Sequence, residues 1–494
     1  MAVTPDTPVI VGAAQFTQRV EDPHDALDPI DMMERALRDA AEDAGAPALL
    51  PAVEKIYVPR GTWRYGDPAR LLAERIGAPG ARSAVGIISG HIVQVMLDRA
   101  CEEIAAGTHE VIAIVGGESE NSKRRLERED PQAVWDDQIE GKPDFEIGSY
   151  GTDSYLTVEN LVGALKPSAS FALCDTSLRA SRGETPAAHR DRIARIAAGL
   201  SEVAADNPSA WLREPVGADE IRTPTARNRM VNYPYTKLMT ANISVDQSAA
   251  LLVCSERAAR RLGIAADRQV YLRAAVEMSH STALSEREEL HHHPGMDSAA
   301  ARLLEVTGVD ANALRHIDLY SCFPFAVQAG AQALGVPDDR PLSVTGGLTF
   351  SGGPFGNYVL QALARMVEVL RLSPGETGLV GSVGGTFQKF AYATYSTDPG
   401  EAEGPILLDT SEEYAAMPKR AYSEAFEGEV TVESYTVHVE HAGPSTTTFA
   451  ALTDDGTRVW GLNDEPETMQ AILEDEDLCG RRARLREGHM KVLD

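Results

Sequence analysis

The chain has five cysteines among its 494 residues, Cys101, Cys174, Cys254, Cys322 and Cys479, and no two of them form a CxxC pair. That scatter excludes a disulfide framework and a thiolate metal site, and it fits reduced thiols used as small buried hydrophobes. Positive charge is also short: 46 Lys and Arg against 74 Asp and Glu leave a formal net charge of −28. Such a field repels phosphate backbones and anionic membranes, so nucleic acid is not expected as a partner. An anionic ligand such as a CoA thioester needs a local cationic patch. No apolar run reaches membrane-spanning length, and "MAVTPDTPVIVGAAQF" has neither the basic start nor the long apolar core of a signal peptide. The expectation is a cytoplasmic protein.

What is there reads as an ordinary soluble globular chain, 43% hydrophobic and 24% charged, and long enough for several domains. "PVIVGAAQ" is a buried strand, and "DPIDMMERALRDAAEDAG" places Met33, Ala36, Leu37, Ala40 and Ala44 at helical spacing before Gly45. A second unit runs from the glycine-flanked loop Gly86-Ile87-Ile88-Ser89-Gly90 into a helix through Val93, Met96, Leu97, Ala100 and Ile104. It ends in the strand "EVIAIVGG". Strand, helix, strand at this spacing implies parallel pairing. The plan recurs later: "RHIDLYSCFPFAVQAGAQALG" is strand then helix, "LSVTGGLTFSGGPFGNYVLQALARMVEVLR" is a glycine loop opening a helix, and "TGLVGSVGG" is the strand after it. These patterns predict two similar α/β halves, 1–255 and 256–397. An inserted cap over about 119–235 is where substrate choice would reside. Beyond the linker "TDPGEAEGP", residues 398–494 alternate in the strand manner around an Asp455-Gly456 turn and a short helix. That pattern predicts a small β-barrel of the OB type, with a packing or lid role.

Several residues stand out chemically. Ser89 and Gly90 end the first glycine loop, where backbone N–H groups and the positive end of the helix face any ligand. His91 follows directly, and the helix dipole there favours a neutral ring suited to act as a base. The run His291-His292-His293 invites a metal, but consecutive histidines point in different directions and lack the spacing of a structural site, so none is expected. The basic runs "NSKRRLERE" and around Arg222 and Arg227 are either a phosphate patch or solvated faces.

With these pieces in order, the chain resembles the thiolase superfamily, and in particular the type 1 thiolase-like proteins that carry an added C-terminal domain. The resemblance rests on "PVIVGAAQFTQ", "NRMVNYPYTKLMTANISVDQSAALLVCSERAARRLGI" with Asp246-Gln247-Ser248-Ala249-Ala250 in place of a DGAAA-type motif, "GGLTFSGGPFGNY" and "GSVGGTFQKFAYATYST". It implies a five-layered α/β/α/β/α thiolase fold plus the OB-like domain. It also implies where the family's reactive groups belong. The nucleophilic cysteine falls at Ile87, the Asn-Glu-Ala-Phe-Ala motif at "CFPFA" with Cys322 first, the histidine of Gly-His-Pro at Gly353, and the second cysteine at Ser382. None of these residues can play the family's part, so thiolase catalysis is not expected.

The resemblance further suggests Tyr358 for proton transfer, because related thiolase-fold aldolases use tyrosines that way. Lys389 lies where such proteins show Lys-His, and His293 lies in the region near their CoA tunnel. Two functions follow. One is a protein that binds an acyl-CoA or related ligand, or a protein partner, without thiolase turnover. The other is an acyltransferase or retro-aldol lyase of altered mechanism that uses His91 or Tyr358. The related aldolases pair a thiolase-fold subunit with an OB-fold subunit, which here is fused in cis. No cofactor is required; CoA or acyl-CoA enters as ligand, and the oligomeric state is left between monomer and homodimer.

Overall fold

The computed structural model describes residues 3–130, 135, 140–149, 155–400 and 404–493. Parts of the predicted cap (131–134, 136–139, 150–154) and of the linker (401–403) lie outside the described residues.

Two sheets form the centre. The first has six strands in the order Pro8–Thr17, Asp246–Ser255, Val111–Ser119, Lys55–Val58, Arg82–Gly86 and Phe145–Ile147. The predicted strand–helix–strand unit is parallel, but its two strands are not neighbours: Lys55–Val58 lies between them and runs parallel to both. The second sheet has five strands in the order His316–Asp318, Thr377–Gly384, Lys389–Ser396, Tyr271–Met278 and Ile406–Asp409. The strands Lys55–Val58, Val111–Ser119, Asp246–Ser255 and Lys389–Ser396 are buried at every position, as strands covered on both faces require.

Helices Ile92–Ala105 and Tyr358–Leu372 lie between the sheets and touch both of them. Helices Pro29–Asp43 and Pro68–Arg75 cover the outer face of the first sheet. Helix Pro294–Thr307, with Pro324–Leu334 beside it, covers the second. The result is five layers, α/β/α/β/α. The local rules are visible in Pro29–Asp43: Asp28 accepts a hydrogen bond from the Asp31 N–H, Pro29 takes the first position, and an alanine-rich face lets the helix approach the sheet closely. A Cβ on Gly12 would stand 2.2 Å from the Ala40 carbonyl oxygen, so the helix backbone touches the strand.

The C-terminal region is a closed five-stranded barrel. Gly428–Glu440 pairs with Gly443–Leu452, which pairs with Arg458–Asn463, then His489–Val492, then Arg482–Arg486, which returns to Gly428–Glu440. Its core holds Val430, Tyr435, Phe449, Val459, Ile472 and Met490. The Asp455-Gly456 turn is present, with Gly456 at φ 84°. The inserted segment contributes to this barrel: Met230–Asn232 adds to Gly428–Glu440 through the Asn232–His438 pair. Helix Pro167–Ser181 packs against the same strand, and the Ser434 hydroxyl donates to the Leu173 carbonyl at 2.6 Å. The insertion therefore joins the core to the barrel as well as covering the core.

Candidate functional site

The first glycine loop leaves the strand Arg82–Gly86 and turns into helix Ile92–Ala105. The second half of the molecule presses directly on it. A Cβ on Gly90 would stand 2.2 Å from the Val383 carbonyl oxygen and 2.5 Å from the Tyr320 hydroxyl. One on Gly384 would stand 2.2 Å from Ser89 Oγ and 2.5 Å from His91 Nδ1. Only glycine allows these two loops to interlock.

At the junction is a hydrogen-bonded chain. Ser89 Oγ lies 2.7 Å from His91 Nδ1, and His91 Nε2 lies 3.1 Å from Ser279 Oγ. The Ser279 N–H in turn donates to Ser411 Oγ at 2.8 Å. His91 is 2% exposed. Burial, reinforced by Lys389, holds its ring at about 3, so the imidazole is neutral at physiological pH. The neutral ring expected from the helix position is thus present, with desolvation as its main cause. The Lys389 ammonium donates to the Ser149 carbonyl, and burial depresses its pKa against the opposing pull of Glu277.

Beside this chain opens a cavity of about 680 Å³. Its wall combines Ile88, Ser89 and Gly90 with Cys322 and Phe323, Gly353 and Gly356, and Val383, Gly385 and Thr386, so loops far apart in sequence meet at one place. The inserted segment contributes Tyr155 and Phe171, and the Phe171 ring packs on Phe323 at 4.8 Å between centroids. Among the described residues that line it, none carries a charge. Desolvation pushes the Cys322 thiol far above its ordinary range, which suppresses the reactive thiolate.

The other expected residues fall elsewhere. Tyr358 is 1% exposed and sits one layer behind the cavity wall. Its hydroxyl donates to Asp318 Oδ1 at 3.1 Å and lies 2.7 Å from Thr345 Oγ1, and its ring meets Tyr320 edge-on at 5.6 Å. Ser382 is also off the wall; its hydroxyl donates to the Ala391 carbonyl at 3.1 Å across the strand pair. His293 is enclosed by Phe387, Phe390 and Tyr414 with both ring nitrogens unpaired, and burial holds its pKa well down. Its neighbours turn away from it, His291 towards Ser177 and His292 towards Asp297. Arg222 pairs with Asp191 and Asp475, and Arg124 with Glu120, so neither basic run lies on the cavity wall.

Residues 409–489 match the family model of the thiolase-like protein type 1 additional C-terminal domain. The whole chain superposes on a monomeric SCP2-thiolase-like protein type 1 from Mycobacterium smegmatis, with 28% identity, a TM-score of 0.83 and full coverage of both chains. The chain has the fold of the thiolase-like proteins and carries their additional C-terminal domain. An acetyl-CoA acetyltransferase of Methanothermobacter thermautotrophicus is 24% identical to this thiolase-like chain over 221 residues, which span 40% of the chain and 56% of that enzyme. The Ltp2-ChsH2(DUF35) aldolase shares the fold, with 17% identity and a TM-score of 0.59 over 80% of this chain and 98% of its own.

Sequence reasoning did not find Ser279, Tyr320 or Phe171. Each lies outside a glycine motif, in "EMSHST", "DLYSC" and "SASFALC". Nothing local marks Ser279; it reaches His91 only because Tyr271–Met278 pairs with Lys389–Ser396.

Proposed function

We propose that this thiolase-like protein holds the acyl part of a CoA thioester, or of a related acyl ligand, in the 680 Å³ cavity and does not carry out the thiolase carbon–carbon reaction. The observation that carries the reading is the wall itself: a space of ligand size, apolar, enclosed by the motif loops, with Cys322 and Gly353 on its wall and Ile87 and Ser382 in the flanking segments. The chemistry of that lining favours an alkyl chain over a charged headgroup. A nucleotide phosphate would lie outside it, nearer the exposed Lys166 and Lys237, which neighbour the lining residues Leu165, Pro167 and Thr240 in sequence.

Calorimetric titration with CoA and with acyl-CoAs of two to twelve carbons tests this, each mixture being checked by mass spectrometry. The expected result is saturable binding that tightens with chain length. At ~0.8 kcal/mol per buried methylene, the gain is about fourfold per carbon until the cavity is full. No acetoacetyl-CoA should be formed or cleaved. Affinity independent of chain length, or no binding, overturns the reading. The second reading, acyl transfer or retro-aldol cleavage, is favoured by one observation, the hydrogen bond between Ser89 and His91. Its product would appear in the same spectra.

A further inference from the structure

We propose that Ser89 is an acyl-accepting nucleophile and His91 its base, so that the protein cleaves acyl thioesters and activated esters through an acyl-serine. The inference rests on the reading of the cavity as an acyl site and gives that site a reaction.

Four observations carry it. Ser89 lines the acyl cavity, and its Oγ is 2.7 Å from His91 Nδ1. Helix Ile92–Ala105 has His91 at its N-cap position and no side-chain cap, and the Ser89 hydroxyl, two residues ahead of that position, has the imidazole as its hydrogen-bond partner. The other ring nitrogen faces Ser279 Oγ at 3.1 Å, and Ser279 is itself tied down through its N–H to Ser411. That contact accommodates the tautomer the reaction needs: with Nε2–H donating to Ser279 Oγ, Nδ1 accepts the Ser89 proton. Finally, the backbone of Gly384 lies against both side chains, since a Cβ there would stand 2.2 Å from Ser89 Oγ and 2.5 Å from His91 Nδ1.

The steps balance as a hydrolysis. Ser89 Oγ attacks the acyl carbonyl carbon while its proton passes to His91 Nδ1. The C–S bond then breaks, and the departing sulfur takes that proton and leaves as a thiol. Water attacks the acyl-serine and gives its proton to Nδ1. The acyl oxygen bond to Ser89 breaks, the proton returns to Oγ, and a carboxylic acid departs. The net reaction is thioester plus water to acid plus thiol. No carboxylate backs His91, and the Lys389 charge opposes the imidazolium. The site therefore suits leaving groups that depart easily, thiolates and nitrophenolates, and does not cleave amides.

The test uses the full chain. A fluorophosphonate probe should form one covalent adduct, mapped by peptide mass spectrometry to Ser89, and p-nitrophenyl hexanoate should give a burst of one equivalent per chain. Ser89→Ala should lose both, and His91→Ala should slow the burst about 10²–10⁴-fold, each with an unchanged melting temperature. Ser279 is a positioning residue, so Ser279→Ala should lower kcat with KM held, and Ser279→Thr should restore it. An unlabelled Ser89 in the wild-type chain, or equal labelling of Ser89→Ala, overturns the proposal whatever the variants do. Calorimetry of the wild type with a thioether analogue of hexanoyl-CoA separates the two readings. Binding without acylation removes this inference alone, and no binding with no acylation removes both.

Discussion

Single side chains in this protein are tuned chiefly by desolvation. Glu118, 1% exposed, accepts hydrogen bonds from the Thr62 N–H and hydroxyl at 2.8 and 2.6 Å, yet burial, with Glu120 nearby, raises its carboxyl from 4.5 to about 7. Between those values the folded chain binds more protons than the unfolded chain, so stability falls as pH rises through that window. The loss is absent below about 4.5 and complete above about 7. Glu118→Gln keeps an acceptor for the Thr62 N–H and carries no charge. Melting curves should show it gaining at pH 8 on the order of 2 kcal/mol and little at pH 5. Equal gains at both values would reject the assignment. The cysteines follow the same logic. Four are buried, and the partly exposed Cys479 is held at about 12 by desolvation. Ellman's reagent at pH 8 should therefore react slowly with the native chain and count five thiols once guanidinium unfolds it.

Between elements, close backbone approach decides more than side-chain packing does. Gly90 sits against a backbone carbonyl, that of Val383, which has no rotamer to change. Gly90→Ala should cost about 1–3 kcal/mol, as overpacking does, and should also weaken acyl-ligand binding because the loop forms the cavity wall. Gly107→Ala makes a useful contrast, since nothing lies within 4 Å of its Cβ position and only its φ of 70° opposes the change. It should lower the melting temperature without affecting binding. Buried polar ties join the helices as well. Asp175 receives Tyr235 Oη at 2.7 Å and Gln328 Nε2 at 3.0 Å, and lies 2.9 Å from His189 Nε2. Burial opposes charge on His189, but Asp175 and Glu184 outweigh it and raise the ring above its ordinary range. The stability this provides is full at low pH and is lost as pH climbs through that raised value.

Across the whole molecule, buried arginines tie the barrel to the core and to the inserted segment. Arg458 is fully buried, binds both Glu433 oxygens at 2.7 Å and donates to the Ser285 carbonyl at 3.0 Å. Trp460 Nε1 donates to Ser285 Oγ at 2.8 Å. Arg179 grips Asp477 with two bonds, and Arg190 and Tyr233 share Asp475. Removing one partner of a buried pair strands the other, so Arg458→Ala should cost about 3–5 kcal/mol. Limited proteolysis should then cut between core and barrel. An unchanged digestion pattern would mean that the insertion alone holds the barrel.

The sequence by itself determined the alternation of strand and helix, the two glycine loops and the β character of the tail, because side-chain periodicity and turn chemistry are local. The closing barrel strand His489–Val492 and the strand Lys55–Val58 between its two parallel neighbours were not legible, since four-residue segments have too few positions to show a period. The candidate site divides the same way. Ser89, Gly90 and His91 were legible as a loop at a helix start, and Tyr358 as a helix start after glycines. Only the tertiary structure put Tyr358 behind the wall against Asp318 and brought Ser279, from 188 residues away, to His91. Contacts between distant segments depend on how sheets stack and which strands pair, and in this chain those choices decide which buried group meets the cavity and which is sealed away from it.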